Sequence, residues 1–421
     1  MLRGAGFGFR FLAGVVLARL LGVSDYGRYA YAISWLAFLV IPTALGLDQV
    51  LLRFVPAYRE TEAWPQVKGV LRFAFRRATA VSIAVAAVAV AIVYSLPGIG
   101  PSERTVLAVA LALLPLAVLA QIRQSSLRAF DHPVLAQVPE NLLYPTALIA
   151  LAWAMATAPS GGLTTLGAMV ANAGAWFLAF LVGTVFVVKK LPAVLRRVAS
   201  SSESAEWTAM MPALVLVGLA FHLVSRADVL VLGLVGTPRD VGLYTAASRG
   251  GESLLIVYDA VTLAGASLFS ALYARGDRRE LQRFTSLACR IVLWSTLPIY
   301  VALMVAAPWF LGLFGAEFVA GAGVMRILLT AYLLSSLSGF VIVMLYAAGR
   351  QRDVAIAVGL LVPVALALDV TLIPRFGPTG AAVAAAVSLV LMKGTLVAVL
   401  YRRTGILSLP YGAPAPGGDR L

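Results

Sequence analysis

Twelve apolar runs of about 20 residues follow one another along the chain, at 5–21, 29–47, 78–96, 106–122, 142–158, 163–188, 210–235, 243–272, 288–314, 320–347, 354–373 and 380–401. A helical run of this length spans the hydrocarbon core of a bilayer, about 30 Å thick. Barrel strands would instead alternate in polarity over about 10 residues. In hydrocarbon every backbone N–H and C=O must be paired within the protein, so the runs read as helices. Composition agrees: 61% of the 421 residues are hydrophobic and 12% charged, against about 25% charged in soluble domains. The expected class is an all-α polytopic membrane protein with two six-helix lobes around a central cavity.

The formal charge of +14 does not indicate a nucleic-acid partner, because the basic residues are spread between apolar runs and no basic domain stands apart. They alternate by loop instead. Arg53 to Arg77, Arg123 and Arg128, Lys189 to Arg197, Arg275 to Arg283, Arg350 and Arg352, and Arg402 and Arg403 occupy every second connection. The intervening connections are poor in Lys and Arg. By the positive-inside rule this places both termini in the cytoplasm, in the plasma membrane of the cell. The segment 53–77, rich in Phe, Tyr, Trp and Arg, reads as a short amphipathic stretch at the interface. The single cysteine, Cys289, and two histidines, His132 and His222, exclude a disulfide framework and a Cys- or His-based metal site. No cofactor motif is present. The first run is short and starts almost at Met1, which suggests an upstream start or a clipped first helix. It lacks a small-residue cleavage site and reads as a retained helix.

The chain repeats itself. Leu20-Leu21-Gly22 … Gly27-Arg28-Tyr29-Ala30 matches Leu234-Val235-Gly236 … Gly242-Leu243-Tyr244-Thr245 with one residue inserted. Leu127-Arg128-Ala129-Phe130 resembles Leu345-Tyr346-Ala347-Ala348, and Pro145 and Pro363 follow at equal distances. Two parallel six-span repeats are expected: an N-terminal lobe at 1–188, a cytoplasmic linker at 189–208 containing a serine-rich stretch, a C-terminal lobe at 209–404 and a tail at 405–421. No Walker loop or HExxH is present, and no outer loop is long enough for a catalytic domain.

Charges inside the runs are the candidate functional groups, since each costs about 2.5–3.5 kcal/mol at the bilayer centre unless paired or wetted. Arg226 lies in the seventh run with His222 one turn before it; Asp228 falls on the opposite side of that helix. Arg249, Glu252 and Asp259 share a face of the eighth run. Arg10, Arg326 and Lys393 lie in the first, tenth and twelfth runs. Arg10, Arg226, Arg249, Arg326 and Lys393 are read as cavity cations that suit an anionic substrate. Asp228, Glu252 and Asp259 are candidates for ion coupling. The competing structural readings are an Arg249–Glu252 pair within one helix, an interhelical lock at Asp228, and snorkelling of Arg19, Asp369 and Arg326 to the interface.

Ala18-Arg19-Leu20-Leu21-Gly22 … Asp25-Tyr26-Gly27-Arg28-Tyr29, then Gly46-Leu47-Asp48-Gln49-Val50-Leu51-Leu52-Arg53-Phe54-Val55-Pro56, resembles the polysaccharide transporter family. These are the O-antigen and oligosaccharide flippases of the multidrug/oligosaccharidyl-lipid/polysaccharide exporter superfamily. Arg226-Ala227-Asp228-Val229-Leu230 … Gly242-Leu243-Tyr244 and Leu127-Arg128-Ala129-Phe130 … Pro139-Glu140 resemble later motifs of the same family. The resemblance implies a non-enzymatic flippase for a polyprenyl-pyrophosphate-linked sugar repeat, serving O-antigen, lipopolysaccharide or exopolysaccharide synthesis. It implies alternating access between two lobes, with the first two helices of each lining the cavity. Its implied partners are the lipid-linked oligosaccharide, membrane lipids, a coupling H+ or Na+ and a polysaccharide polymerase; an uncoupled mechanism is equally open. A cation-coupled drug or metabolite exporter of the same superfamily is the alternative, and a membrane polymerase or ligase a more distant one.

Overall fold

The computed structural model describes residues 2–158, 162–201, 204–275 and 277–412. Met1, two residues of the serine-rich stretch and the tail beyond residue 412 lie outside the described residues. The fold is all-helical, and by contacts the chain divides into two compact units, Met1–Leu219 and Ala220–Leu421.

The first unit runs α1 (Leu2–Thr43), α2 (Leu47–Glu60), α3 (Trp64–Ser95), α4 (Pro101–Ala112), α5 (Leu114–Ala129) and α6 (Pro133–Val138). A π-helical turn at Pro139–Leu143 leads into α7 (Tyr144–Ala156), followed by α8 (Thr165–Lys190) and the single turn α9 (Val194–Arg197). The helix α10 (Ser204–Val235) crosses into the second unit. There follow α11 (Pro238–Glu252), α12 (Leu255–Arg275), α13 (Arg278–Val305), α14 (Ala307–Gly312), α15 (Ala322–Ser336), α16 (Val341–Ala347) and α17 (Gln351–Thr404).

Among the described residues, nine helical runs are long and apolar enough to cross a membrane. Two of them are bent runs that make two passes each. The 54 residues of α17 would reach about 80 Å if straight, far more than the bilayer core. The break is at Gly377 (φ 55°, ψ −132°); in α1 it is at Gly22 (φ 75°, ψ 172°). Only glycine enters these conformations without strain. With α12, a 21-residue apolar helix, the total is the twelve passes of this fold.

Three sequence expectations change in detail. The run 243–272 is two helices, because Gly250 and Gly251 weaken α11 and Ser253 turns its hydroxyl back to the Gly250 carbonyl at 2.6 Å. Segment 53–77 is not one interfacial stretch. It holds the end of α2 and the start of α3, and the apolar face of α2 (Leu47, Val50, Leu51, Phe54, Val55) is buried against protein. Arg123 is not a loop residue: it lies inside α5, buried, and pairs with Glu140 of the π turn. The π turn sits between Pro139 and Pro145. Pro145 has no N–H to return to the Asn141 carbonyl, which loosens the helix and turns Glu140 inward.

Each unit has its own apolar core. In the first, α2, α3 and α5 interlock through Leu51, Val55, Val70, Ala74, Val118 and Ile122. In the second, Phe269, Leu272, Leu281, Phe340, Leu345 and Leu396 join α12, α13, α16 and α17.

Candidate functional site

The charged site is built where α10 turns into α11. Thr237 caps α11 with a reciprocal box: Asp240 N donates to Thr237 Oγ1 at 3.3 Å, and Thr237 N donates to Asp240 Oδ2 at 2.9 Å. Pro238 occupies the first turn, where its missing N–H costs nothing. A helix started here places Tyr244, Ser248 and Glu252 one above another at four-residue spacing. These residues face α10 and α15.

Glu252 is the centre of the network. Its side chain is only 10% exposed, yet Arg226 Nη1 lies 2.7 Å from Oε1 and Arg249 Nη1 lies 3.2 Å from Oε2. Each guanidinium thus takes one carboxylate oxygen, and the cluster carries a net positive charge. Both arginines are nearly half exposed, at 49% and 41%, so they present N–H groups outward while Glu252 anchors them from below. Gly251 makes room for the neighbouring helix: a Cβ there would lie 2.6 Å from the Tyr332 ring. The phenol of Tyr332, on α15, is thereby brought beside the carboxylate.

Asp228 is buried and accepts hydrogen bonds from the Tyr244 hydroxyl and, at 2.8 Å, from Val229 N. Arg226 and Asp228 are two residues apart on α10, yet both border one cavity of about 180 Å³, shared with Tyr244, Ser248, Tyr332 and Ala385. Expected on opposite faces, they flank the same face of α11, Arg226 reaching Glu252 and Asp228 reaching Tyr244. The cavity is smaller than the roughly 300–1,000 Å³ of drug-sized pockets. It admits an ion with a few waters or a single phosphate group, not a whole glycolipid.

The remaining candidates lie apart from this network. Lys393 is buried on α17 and contacts Tyr258 of α12, with Nζ 3.4 Å from the hydroxyl and 5.0 Å from the ring centroid. Asp259, exposed beside Tyr258, acts electrostatically on Lys393. Arg326 is exposed and donates through Nε to the Met304 carbonyl at 3.0 Å. Arg10, in the first unit, donates to Asn141 Oδ1 of the π turn.

Sequence reasoning passed over several polar groups. Asp369, for which snorkelling at a span end was the competing structural reading, is buried within α17 and interacts electrostatically with Asp228. Tyr332 carries no charge and gave no signal, and Tyr244 stood out only as part of the repeat and the family motif, not as a partner of Asp228. Arg123 and Glu140 form a second buried ion pair, in the first unit; Arg123 also donates to the carbonyls of Ala179 and Phe180, at 3.2 and 2.8 Å. An acid between two prolines, just ahead of an apolar run, was the available clue. Asn172 accepts hydrogen bonds from Tyr29 and Tyr144 at 3.3 and 2.7 Å, tying α1 and α7 to α8.

An all-helical chain of twelve passes, with a charged network set in its apolar helices, is a multi-pass membrane protein. Solved structures agree on the fold. An inward-facing multidrug resistance MATE family transporter of the MOP superfamily superposes with a TM-score of 0.78 at 14% identity, covering 94% of both chains. The lipid II flippase MurJ in an inward closed conformation gives 0.73 at 13% identity, covering 94% of this chain and 86% of its own. No curated protein matches the sequence significantly. Residues 16–320 match the profile of the polysaccharide biosynthesis protein family, and the chain belongs to that family.

Proposed function

We propose that the protein is a flippase that carries a polyprenyl-pyrophosphate-linked oligosaccharide, an O-antigen or exopolysaccharide repeat unit, across the plasma membrane by alternating access. The observation that carries this reading is the Arg226–Glu252–Arg249 network, a net cationic and half-exposed cluster set in apolar helices. Charges in such a place are kept for an anionic ligand or an ion path, and paired guanidinium groups suit a pyrophosphate. In this mechanism Arg226 and Arg249 hold the pyrophosphate while the prenyl chain stays in lipid, and Arg10, Arg326 and Lys393 attract acidic parts of the substrate. Glu252, Asp228 and Asp259 are the groups that would take a coupling H+ or Na+. The chain transports and does not catalyse. Both termini face the cytoplasm, and a polymerase consumes the repeat units on the other side.

The experiment is leaflet sidedness of lipid-linked sugar in cells depleted of the protein, read with a label confined to the outer leaflet. Precursor trapped on the cytoplasmic side supports the flippase. Normal outer-leaflet precursor, with no redundant flippase present, refutes it. Arg226→Ala should abolish export at unchanged abundance; persistent export would make Arg226 structural. The second reading, a cation-coupled exporter of drugs or metabolites, draws on the small cavity with its buried Asp228 and on the likeness to a multidrug transporter. Efflux of a cationic dye that depends on Asp228 would favour it.

A further inference from the structure

Two cationic pockets lie outside the site above, one in each unit. The first, of about 500 Å³, is bordered by Arg72, Arg76 and Arg77 of α3, by Ser200 of the segment after α9 and by Trp207 of α10. The second, of about 460 Å³, is bordered by Arg279, Arg283 and Arg290 of α13 and by Pro410 and Tyr411 of the segment after α17. They occupy equivalent places in the two repeats. Each lies at the start of the third membrane helix of its half, roofed by the chain that leaves the sixth. Gly69, Phe73 and Arg77 in one correspond at a constant offset to Gln282, Ser286 and Arg290 in the other.

Both roofs are fastened. In the first unit Lys68 Nζ donates to the Val198 carbonyl at 2.6 Å, and Ser201 N donates to the Pro65 carbonyl at 3.0 Å. Trp207, buried, packs on Phe73 with ring centroids 5.4 Å apart and donates to the Tyr58 hydroxyl at 3.2 Å. In the second unit the buried Gln282 does most of this work: Nε2 donates to the Leu407 and Gly412 carbonyls at 2.9 and 3.2 Å, and Oε1 accepts from Leu407 N at 2.8 Å. Ser286 Oγ also donates to the Gly412 carbonyl at 3.2 Å, and Ser408 Oγ to the Ser338 carbonyl at 2.6 Å. The walls are therefore held in place, and no described carboxylate borders either pocket.

What lies below the arginines identifies the ligand class. On α3 the exposed face continues from Arg76 and Arg77 through Ala80, Ile83, Ala87 and Val88 without a charge. On α13 it continues from Arg283 and Arg290 through Leu287, Ile291, Trp294 and Ile299. A cationic pocket at the head of an exposed apolar stripe matches a molecule with a phosphate at one end and acyl chains at the other. The helix pitch sets stripe and arginines on one line, so acyl chains lying along the helix would bring their phosphate to the pocket. We propose that each pocket is a binding site for an anionic membrane phospholipid, its phosphate held by the arginines and its acyl chains lying along α3 or α13. The proposal does not depend on the transported substrate. Anionic lipid is concentrated in the cytoplasmic leaflet that the basic connections would face.

The test is native mass spectrometry of the full-length protein titrated with dioleoyl-phosphatidylglycerol, dioleoyl-phosphatidylcholine or inorganic phosphate. Wild type should retain two phosphatidylglycerol molecules more tightly than any phosphatidylcholine. Arg72→Gln/Arg76→Gln/Arg77→Gln should lose one, Arg283→Gln/Arg290→Gln the other, and the combination both. Each lost guanidinium should weaken binding about fivefold. If a multiple variant fails to fold, Arg76→Gln set against Arg76→Lys reads the same dependence, with lysine restoring most of the affinity. Equal retention of phosphatidylcholine, or unchanged phosphatidylglycerol binding in the folded variants, would overturn the assignment. Displacement of the lipid by inorganic phosphate would overturn it in favour of a free-anion site.

Discussion

The ion pair between Arg123 and Glu140 sets a sharp test of how the first unit is held together. The two side chains are 2% and 7% exposed. Removing one partner of a buried pair costs about 3–5 kcal/mol, because the other charge is stranded. The two losses should differ. A carboxylate left alone can take up a proton and become neutral, whereas a guanidinium stays charged. Glu140→Gln therefore strands a permanent cation, eased only by the Ala179 and Phe180 carbonyls and by the Phe180 ring, whose centroid is 5.5 Å from Cζ. Those contacts put its cost near the lower limit, about 3 kcal/mol. Arg123→Met should cost less than Glu140→Gln. The double change Arg123→Met/Glu140→Leu, which removes both charges and fills the space, should return most of the loss.

The assay is thermal unfolding of the purified protein in detergent, followed by loss of the monodisperse peak. For a unit of this size 3 kcal/mol corresponds to a fall in Tm of about 6–12 °C. The expected order is wild type, then the double variant, then Arg123→Met, then Glu140→Gln. A Glu140→Gln Tm within about 2 °C of wild type would refute the reasoning. So would a double variant as unstable as the worse single one.

Other outcomes follow from the same contacts. Gly183→Ala should lower stability by about 1–3 kcal/mol, since its Cβ would lie 2.2 Å from Arg123 Cζ; the Arg123→Met/Glu140→Leu background should relieve it, as a shared Tm series would show. Glu252→Gln should lower Tm less than Glu140→Gln, because the two arginines it strands are nearly half exposed and can be solvated, but should abolish export in the outer-leaflet sugar assay. Tyr244→Phe should cost about 1–3 kcal/mol by leaving the buried Asp228 short of a donor, measured by the same unfolding assay. Cys289, buried and within 3.9 Å of Ser408 Oγ, should resist maleimide in the native protein and react on unfolding, as mass spectrometry of labelled samples would record.

The sequence made the fold legible because the bilayer leaves few choices: a run of about 20 apolar residues must be a helix, and Gly22 and Gly377 fall where the chain reverses. What it could not show were interruptions inside those runs. The break after Glu252 falls inside a run that hydropathy passes over smoothly, and the π turn at Glu140 falls at the head of a run; both depend on local glycine, serine and proline chemistry. Charged groups were legible as such, but their partners were not. Arg249 and Glu252 pair as i, i+3 spacing suggests, whereas Arg226 reaches Glu252 only because α11 folds back on α10. Asp369 looked like a residue at a span end, since α17 appears in the sequence as two runs whose junction is Gly377; the helix in fact continues past it.

The internal repeat bears on the ion pair. The offset that aligns Leu127 with Leu345 and Pro145 with Pro363 sets Val341 at the place of Arg123 and Val358 at the place of Glu140. Both valines are fully buried and belong to one apolar cluster. The second half therefore closes the same helix contact with hydrocarbon, so the architecture itself does not demand a charged pair there. This is the physical reason to expect the double replacement in the first half to fold. It also separates two roles for the pair. If Arg123→Met/Glu140→Leu recovers Tm and export together, the pair is one of two interchangeable ways to pack the joint. If Tm recovers while export does not, the charges serve the transport cycle, and the π turn that presents Glu140 to Arg123 and Asn141 to Arg10 is the element through which they act.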